Sequence, residues 1–200
     1  GNIFCAGVDL LRAAEGGSKY LRSIVAALDE MYEEIFLFPK PVVAAINGHA
    51  IAGGCVLACC ADYRVLAKGA GRMGVTELLV GVPFLPFAFE VLRAATSPMH
   101  FPKFTASGET FDTEGALANS FADEAVNADR LLPRALEKAE QLAAIRAEAF
   151  AVNKLHVRAP AKQILRKDRG RLARQIMKVW EAKETAENIR AYVARTFKKP

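Results

Sequence analysis

The stretch Val42-Val43-Ala44-Ala45-Ile46-Asn47-Gly48-His49-Ala50-Ile51-Ala52-Gly53-Gly54-Cys55 decides how the chain is read. Its first five residues are a short apolar run closed by Asn-Gly, the pattern of a buried strand entering a turn. Gly53-Gly54 opens a helix that small and apolar residues carry to about Ala61, and Tyr63–Ala67 reads as the next strand. Strand, helix, strand is a parallel crossover, so the expected class is α/β. Upstream, Leu21, Ile24, Val25, Leu28, Met31, Tyr32 and Ile35 keep helical spacing with acids on the opposite face. This predicts an amphipathic helix from about Ser18 to Phe36, stopped by Pro39 and Pro41. Downstream, a short helix is expected near Phe87–Ala95 and a polar loop at Thr105–Gly108. Asp112 should start a helix that Asn119 ends in a left-handed cap, and Phe121–Val126 offers a last strand. From Arg130 the pattern is helical through Phe150, across Pro160, and from Arg171 to Phe197.

The 200 residues are 52% hydrophobic and 24% charged, enough for one domain with a helical appendage and unlike a disordered chain. No run approaches the roughly 18 to 20 apolar residues of a membrane span, and four cysteines, two of them adjacent, make no secreted framework. A cytoplasmic, soluble protein with no membrane partner is expected. Charge is uneven: residues 1–150 hold 13 Lys/Arg against 18 Asp/Glu, whereas residues 151–200 hold 14 against 4. The surplus implies an anionic partner: nucleic acid, a membrane surface or ligand phosphates.

Several chemistries fall away. Gly69-Ala70-Gly71-Arg72-Met73-Gly74 spells GxGxxG, but the apolar, proline-broken sequence from Val75 to Pro86 cannot be the helix that a dinucleotide loop opens into. The segment reads as a glycine-rich surface turn. His49, His100 and His156 lack paired metal-ligand spacing, and Cys55, Cys59 and Cys60 suit a buried helix face, so no metal is expected. Phe4-Cys5-Ala6-Gly7-Val8-Asp9-Leu10 and the Gly53-Gly54 turn remain. Both can bring backbone N–H groups close to a ligand, as an oxyanion hole requires. Glu77, followed by Leu78-Leu79-Val80, would be a carboxylate in apolar surroundings, where desolvation raises its pKa toward the range of a general base. The plainer reading of a lone Glu is a solvated loop residue.

The FCAGxDL and NGxAxAGG pieces, Asp62-Tyr63-Arg64, Thr76–Gly81 and Thr105–Leu117 together resemble the crotonase, or enoyl-CoA hydratase/isomerase, superfamily over nearly the whole chain. The resemblance implies a spiral of ββα turns over residues 1–127 and a C-terminal helical region, 128–200, for trimerisation and CoA covering. It implies an acyl-CoA thioester as substrate, with coenzyme A as part of the substrate and no other cofactor, and assembly as a homotrimer or dimer of trimers. The thioester oxygen would bind the backbone N–H groups of Val8 and Gly53. Ala6, Asp9, Leu10, Gly54 and Val56 would lie around the substrate, and Tyr192 and Arg195 match the C-terminal aromatic and basic residue near the nucleotide.

Of the two glutamates that the family's hydratases use, one matches Glu77 and the other falls on Val56. Hydration divides proton work between two acids, whereas moving one proton from C2 to C4 through an enolate needs one. An enoyl-CoA isomerase with Glu77 as sole acid/base is therefore expected. The rivals are a hydratase, thioester hydrolase or decarboxylase of the same family, or a non-catalytic acyl-CoA or RNA-binding protein. Phe84, with Leu85, Phe87 and Phe89, is a candidate lining for an acyl pocket, with core packing as the alternative. The run from Lys154 to Lys178, nine basic residues against Asp168, reads as a solvated helical face that leaves nucleic acid open. The family pattern begins before the FCAGxDL turn, with strands and a helix that these 200 residues lack, so an N-terminally incomplete spiral core is expected.

Overall fold

The computed structural model describes residues 1–69 and 71–196. β1 (Ile3–Cys5) is followed by α1 (Leu10–Glu15) and the long α2 (Gly17–Leu37). β2 (Val43–Ile46) and β3 (His49–Ile51) flank the Asn47-Gly48 turn, then come α3 (Gly53–Cys59), β4 (Tyr63–Ala67) and β5 (Met73–Gly74). α4 (Glu77–Val80), α5 (Pro86–Ala95) and α6 (Phe101–Ser107) precede β6 (Thr110–Phe111), α7 (Thr113–Ala118) and β7 (Glu124–Val126). α8 (Leu131–Ala143), α9 (Ala147–Trp180) and α10 (Lys183–Thr196) complete the chain.

The strands form two sheets, ordered β1-β3-β5-β6 and β2-β4-β7. The chain alternates between them: β2 lies in one, β3 in the other, and after α3 the path returns to β4 beside β2 and then to β5 beside β3. Both neighbour pairs are parallel, with Val43 opposite Tyr63 and Ala50 opposite Met73. Each ββα turn thus adds one strand to each sheet, the spiral implied by the resemblance. β6 departs from it by running antiparallel to β5. The strand expected at residues 42–46 is therefore paired across a crossover that contains an extra strand, β3, hidden in a three-residue segment too short for periodicity to register.

The core gathers between the sheets and the helices. Tyr32 and Phe36 of α2 are buried against α3 and α5, and a chain of rings, Phe84, Phe89, Phe101, Phe104 and Phe121, runs through it with successive centroids 4.8–5.8 Å apart. Phe84 therefore packs in the core and takes no part in lining the cavity described below. Arg64 of β4 is clamped by both carboxylate oxygens of Asp123 at 2.9 Å and donates to the carbonyls of Ala95 and Ser120, joining β4 to the ends of α5 and α7. Among the described residues no helix is long and apolar enough to cross a membrane.

Several local expectations are corrected. Met73 and Gly74 form a buried strand because Gly71 and Gly74 let the chain run against the backbones of His49 and Thr110, so the expected surface turn holds only at exposed Gly69; Ala70 lies outside the described residues. Thr105 is a buried helical residue whose hydroxyl donates to Phe101 O at 2.7 Å, so α6 replaces the polar loop. The left-handed residue after α7 is Ser120, φ 61°, one position beyond Asn119. The C-terminal helical stretch is broken at residues 144–146 and 181–182, and Phe197 lies outside the described residues.

The basic run of α9 is not simply a solvated face. Lys154 and Arg158 each meet Asp62 at 2.7 Å, and Lys154 also donates to Lys40 O. Arg169 binds Asp29 at 2.8 Å and also pairs with Glu33, while Asp29 accepts Phe87 N–H at 2.8 Å. Three of the nine cations therefore fasten α9 to the core, while Lys162, Arg166, Lys167, Arg171, Arg174 and Lys178 remain exposed. Asp62 also accepts Val42 N–H at 2.8 Å, and its removal would leave two mostly buried cations uncompensated. Asp62→Ala should cost about 3–5 kcal/mol, read as a lower urea midpoint at unchanged slope.

Candidate active site

The loop after β1 meets the start of α3 with almost no room between them. A Cβ built on Gly54 would lie 2.0 Å from Cys5 O, and one on Gly7 would lie 3.2 Å from Gly53 N. Gly7 also holds φ +84°, a left-handed conformation that favours glycine. These two positions need glycine because two backbones touch there. Gly53 is the first residue of α3, so its N–H has no acceptor within the helix. Among the bonds between described residues, neither Val8 N–H nor Gly53 N–H is donated. Ala52, just ahead, sits at φ 51°, ψ −128°, a strained backbone for a residue with a side chain. It is pinned there: its N–H donates to Gly74 O at 2.8 Å, and its carbonyl accepts from Cys55 and Val56.

Beside this junction opens a cavity of about 430 Å³. Val8, Gly53 and Glu77 border it, together with Ala6 and Tyr32. Leu28, Val56, Leu85 and Ala88 give it an apolar wall, and Leu10, Val80, Val82, Trp180 and Tyr192 form a second wall built from α1, the α4 region and the last two helices. The structure thus brings Ala6, Val8, Leu10, Gly53, Val56, Glu77 and Tyr192 to one space. The other expected site residues lie outside it. Asp9 caps α1 by accepting Arg12 N–H at 3.0 Å, Gly54 is buried against Cys5, Phe84 is in the core, and Arg195 is exposed with its guanidinium 5.8 Å from the Tyr192 ring centroid.

Glu77 stands at the start of α4 with one carboxylate oxygen, Oε2, buried and without a protein partner. Burial pushes its pKa up to about 7, against the opposing pull of the Glu77 and Thr76 backbone N–H groups. This excludes the solvated loop residue. Val56, buried completely, offers no second acid, and among the described residues Glu77 is the only carboxylate lining the cavity. Sequence reasoning did not assign Tyr32 or Trp180 to this site. The Tyr32 hydroxyl donates to Gly53 O at 3.1 Å, and burial raises its pKa far above the ordinary tyrosine value, so it is a fixed neutral donor. His49 also reaches the cavity, where its Nδ1 accepts Arg72 N–H at 3.1 Å. Among the described residues no cluster of three or more His, Cys, Asp or Glu is assembled to hold a metal ion.

A two-sheet ββα spiral with helices folded back over a cavity at the α3 start defines a crotonase-fold protein. The family model for enoyl-CoA hydratase/isomerase matches residues 1–198, and the chain belongs to that family. It is 29% identical over 167 residues to a probable enoyl-CoA hydratase of Mycobacterium tuberculosis, covering 81% of this chain and 64% of the relative's length, so it spans under two thirds of that protein. It is 33% identical over 146 residues to a carnitinyl-CoA dehydratase of Proteus mirabilis, covering 70% of this chain and 53% of the relative. Among solved structures, a probable enoyl-CoA hydratase of Mycobacterium tuberculosis superposes with a TM-score of 0.80 at 31% identity, over 86% of this chain and 73% of that one. A human mitochondrial delta3-delta2-enoyl-CoA isomerase superposes with a TM-score of 0.90 over 96% of this chain and 75% of that one. At 23% identity, that likeness concerns the fold alone.

The raised pKa of Glu77 has a sign that stability measurements can read. The folded state keeps this proton between pH 4.5 and about 7 while the unfolded chain has lost it, so stability falls as pH rises through that window. Glu77→Gln removes the loss. The variant should match the parent near pH 4 and exceed it by up to about 3 kcal/mol above pH 8, by denaturant unfolding at both pH values.

Proposed function

We propose that the protein acts on an acyl-CoA thioester as an enoyl-CoA isomerase. In this reading the thioester oxygen accepts the N–H groups of Val8 and Gly53. Glu77 removes a proton from C2, the electron pair moves into the carbonyl to give an enolate held by those two donors, and Glu77 returns the proton to C4 as the double bond shifts to C2–C3. Oriented donors of this kind stabilise an oxyanion because they are in place before the charge develops. The observation that carries the reading is that Glu77 is the one cavity carboxylate among the described residues, with aliphatic Val56 at the position where the family's hydratases place the second acid. A carboxyl with a pKa near 7 suits both halves of the proton transfer, since it is comparably ready to take and to give a proton.

Hydration is the second reading, favoured by the hydratase and dehydratase names of the relatives in Mycobacterium tuberculosis and Proteus mirabilis. Tyr192 and Arg195 are proposed to face the nucleotide end of CoA, and a trimer or dimer of trimers is the proposed assembly. Exposed Leu132 and Leu136 on α8 are consistent with a covered surface. Nucleic acid is the less favoured partner, because Lys154, Arg158 and Arg169 are engaged internally.

With 3-hexenoyl-CoA, the protein should form the 2-enoyl product, and Glu77→Gln should lower kcat by at least about a hundredfold, in the range of a general acid–base group. Because the base must begin ionised, turnover should rise with pH through about 7 and then level. Undiminished turnover in the variant would remove Glu77 from the chemistry. Val56→Glu supplies the second acid: hydration of crotonyl-CoA that appears only in that variant supports the isomerase reading, whereas hydration by the parent at a comparable rate supports the second one.

A further inference from the structure

Trp180, the single tryptophan of the chain, ends α9 and lines the cavity at about nine-tenths burial. Its indole Nε1–H is buried and has no hydrogen-bond partner. An indole has one polar atom and it can only donate, so an unpaired one is a vacancy of definite chemistry: it accepts nothing and suits only a lone pair. Glu77 Oε2, likewise buried and unpaired, borders the same cavity from another element. Two residues from different parts of the chain thus border one largely apolar space, each carrying an unpaired polar atom closed off from solvent, and buried polar groups are otherwise rarely left unmatched.

The indole is held in place from several sides. It belongs to a buried apolar cluster with Ala13, Leu21, Val80, Val82 and Ile189. The next residue, Glu181, is gripped by both donors of Arg22 at 2.6 and 2.9 Å, and Thr185 Oγ1–H donates to the carbonyl of Val179 at 2.5 Å. The end of α9 is therefore fixed on both flanks of Trp180, and the donor is in place before a ligand arrives. Of the described residues in the helical wall around it, Leu10, Val80 and Val82 carry no side-chain acceptor, and the indole is not bonded to the hydroxyls of Tyr192 or Thr196.

We infer that the Trp180 indole N–H is a ligand-binding donor, and that the thioester presents a carbonyl or hydroxyl oxygen to the helical wall of the cavity in addition to the thioester oxygen at Val8 and Gly53. The inference rests on the acyl-CoA reading above. That oxygen has two chemical sources, a substituent on the acyl chain or an amide carbonyl of the pantetheine arm. Either makes Trp180 a specificity determinant, since a site built around an unpaired buried donor discriminates against a ligand that leaves it unpaired.

The sole indole gives one Nε1–H resonance in protein labelled with 15N-tryptophan. Saturated hexanoyl-CoA, 6-hydroxyhexanoyl-CoA and its shorter and longer ω-hydroxy homologues, and free CoA are titrated in turn, with backbone amide shifts reporting occupancy. A downfield indole shift and slowed solvent exchange with one oxygenated thioester, absent with the hydrocarbon thioester of equal length, assign the acceptor to the acyl chain. The same change with every thioester and with CoA assigns it to pantetheine. Trp180→Phe should weaken the preferred ligand roughly fivefold, the effect of one lost neutral hydrogen bond. Affinity for a ligand that does not reach the donor should fall less, so the ratio of the two affinities separates this role from packing; an equal loss for both would overturn it. Cavity amides that shift while the indole does not would overturn the role of Trp180 and leave the acyl-CoA reading standing. No amide shift with any thioester would overturn both.

Discussion

The structure depends on a contact between two stretches of backbone. The loop after β1 and the first turn of α3 approach until Cys5 O occupies the place where a side chain on Gly54 would be, and Gly7 lies against Gly53 N. Any larger residue there would separate Val8 from Gly53 and, with them, the two N–H groups on which the proposed chemistry turns. The ββα spiral brings this contact about. β1 and β3 are parallel neighbours in one sheet, so the segments that leave their ends emerge side by side. Sheet pairing thus determines the donor geometry, and no side chain has to be aimed.

Around that contact the protein divides its polar groups sharply. Charges that hold the fold are matched: Asp62 with Lys154 and Arg158, Asp123 with Arg64, Asp29 with Arg169. Two residues that border the cavity keep a polar group unpaired, Glu77 at Oε2 and Trp180 at its indole, while Tyr32 and His49 there are bonded within the protein. Burial of an ion without partners is costly, and Glu77 meets that cost by holding its proton to about pH 7. The same desolvation that weakens it as an acid makes it effective near neutrality.

How much of this was legible in the sequence depended on the range over which each signal acts. α2, β2, β4 and α5 were readable because periodicity or an apolar run is local to them. β3 and β5 were not, because strands of three and two residues carry no period, and their identity comes from pairing with each other. That Val8, Gly53 and Glu77 meet at one cavity was legible through motif spacing, whereas Asp9, Gly54, Phe84 and Arg195, also expected there, lie outside it. Tyr32 reads as one more apolar residue on a helix stripe, and Trp180 lies over a hundred residues from Glu77. Only the fold-back of the C-terminal helices unites them. The basic run misled for the same reason: the acids that neutralise it, Asp29, Glu33 and Asp62, are far upstream.

α9 joins features that have so far stood apart. One continuous helix carries Lys154, bound to Asp62, and, 26 residues later, Trp180 in the cavity wall. At 1.5 Å per residue that span is about 39 Å, with Pro160 set in it near the fastened end. It is a strut tied at intervals: at Asp62, again where Arg169 meets Asp29 and Glu33, and beyond the indole where Arg22 holds Glu181. The ion pairs that hold the fold together thus also set where the far wall of the ligand space stands.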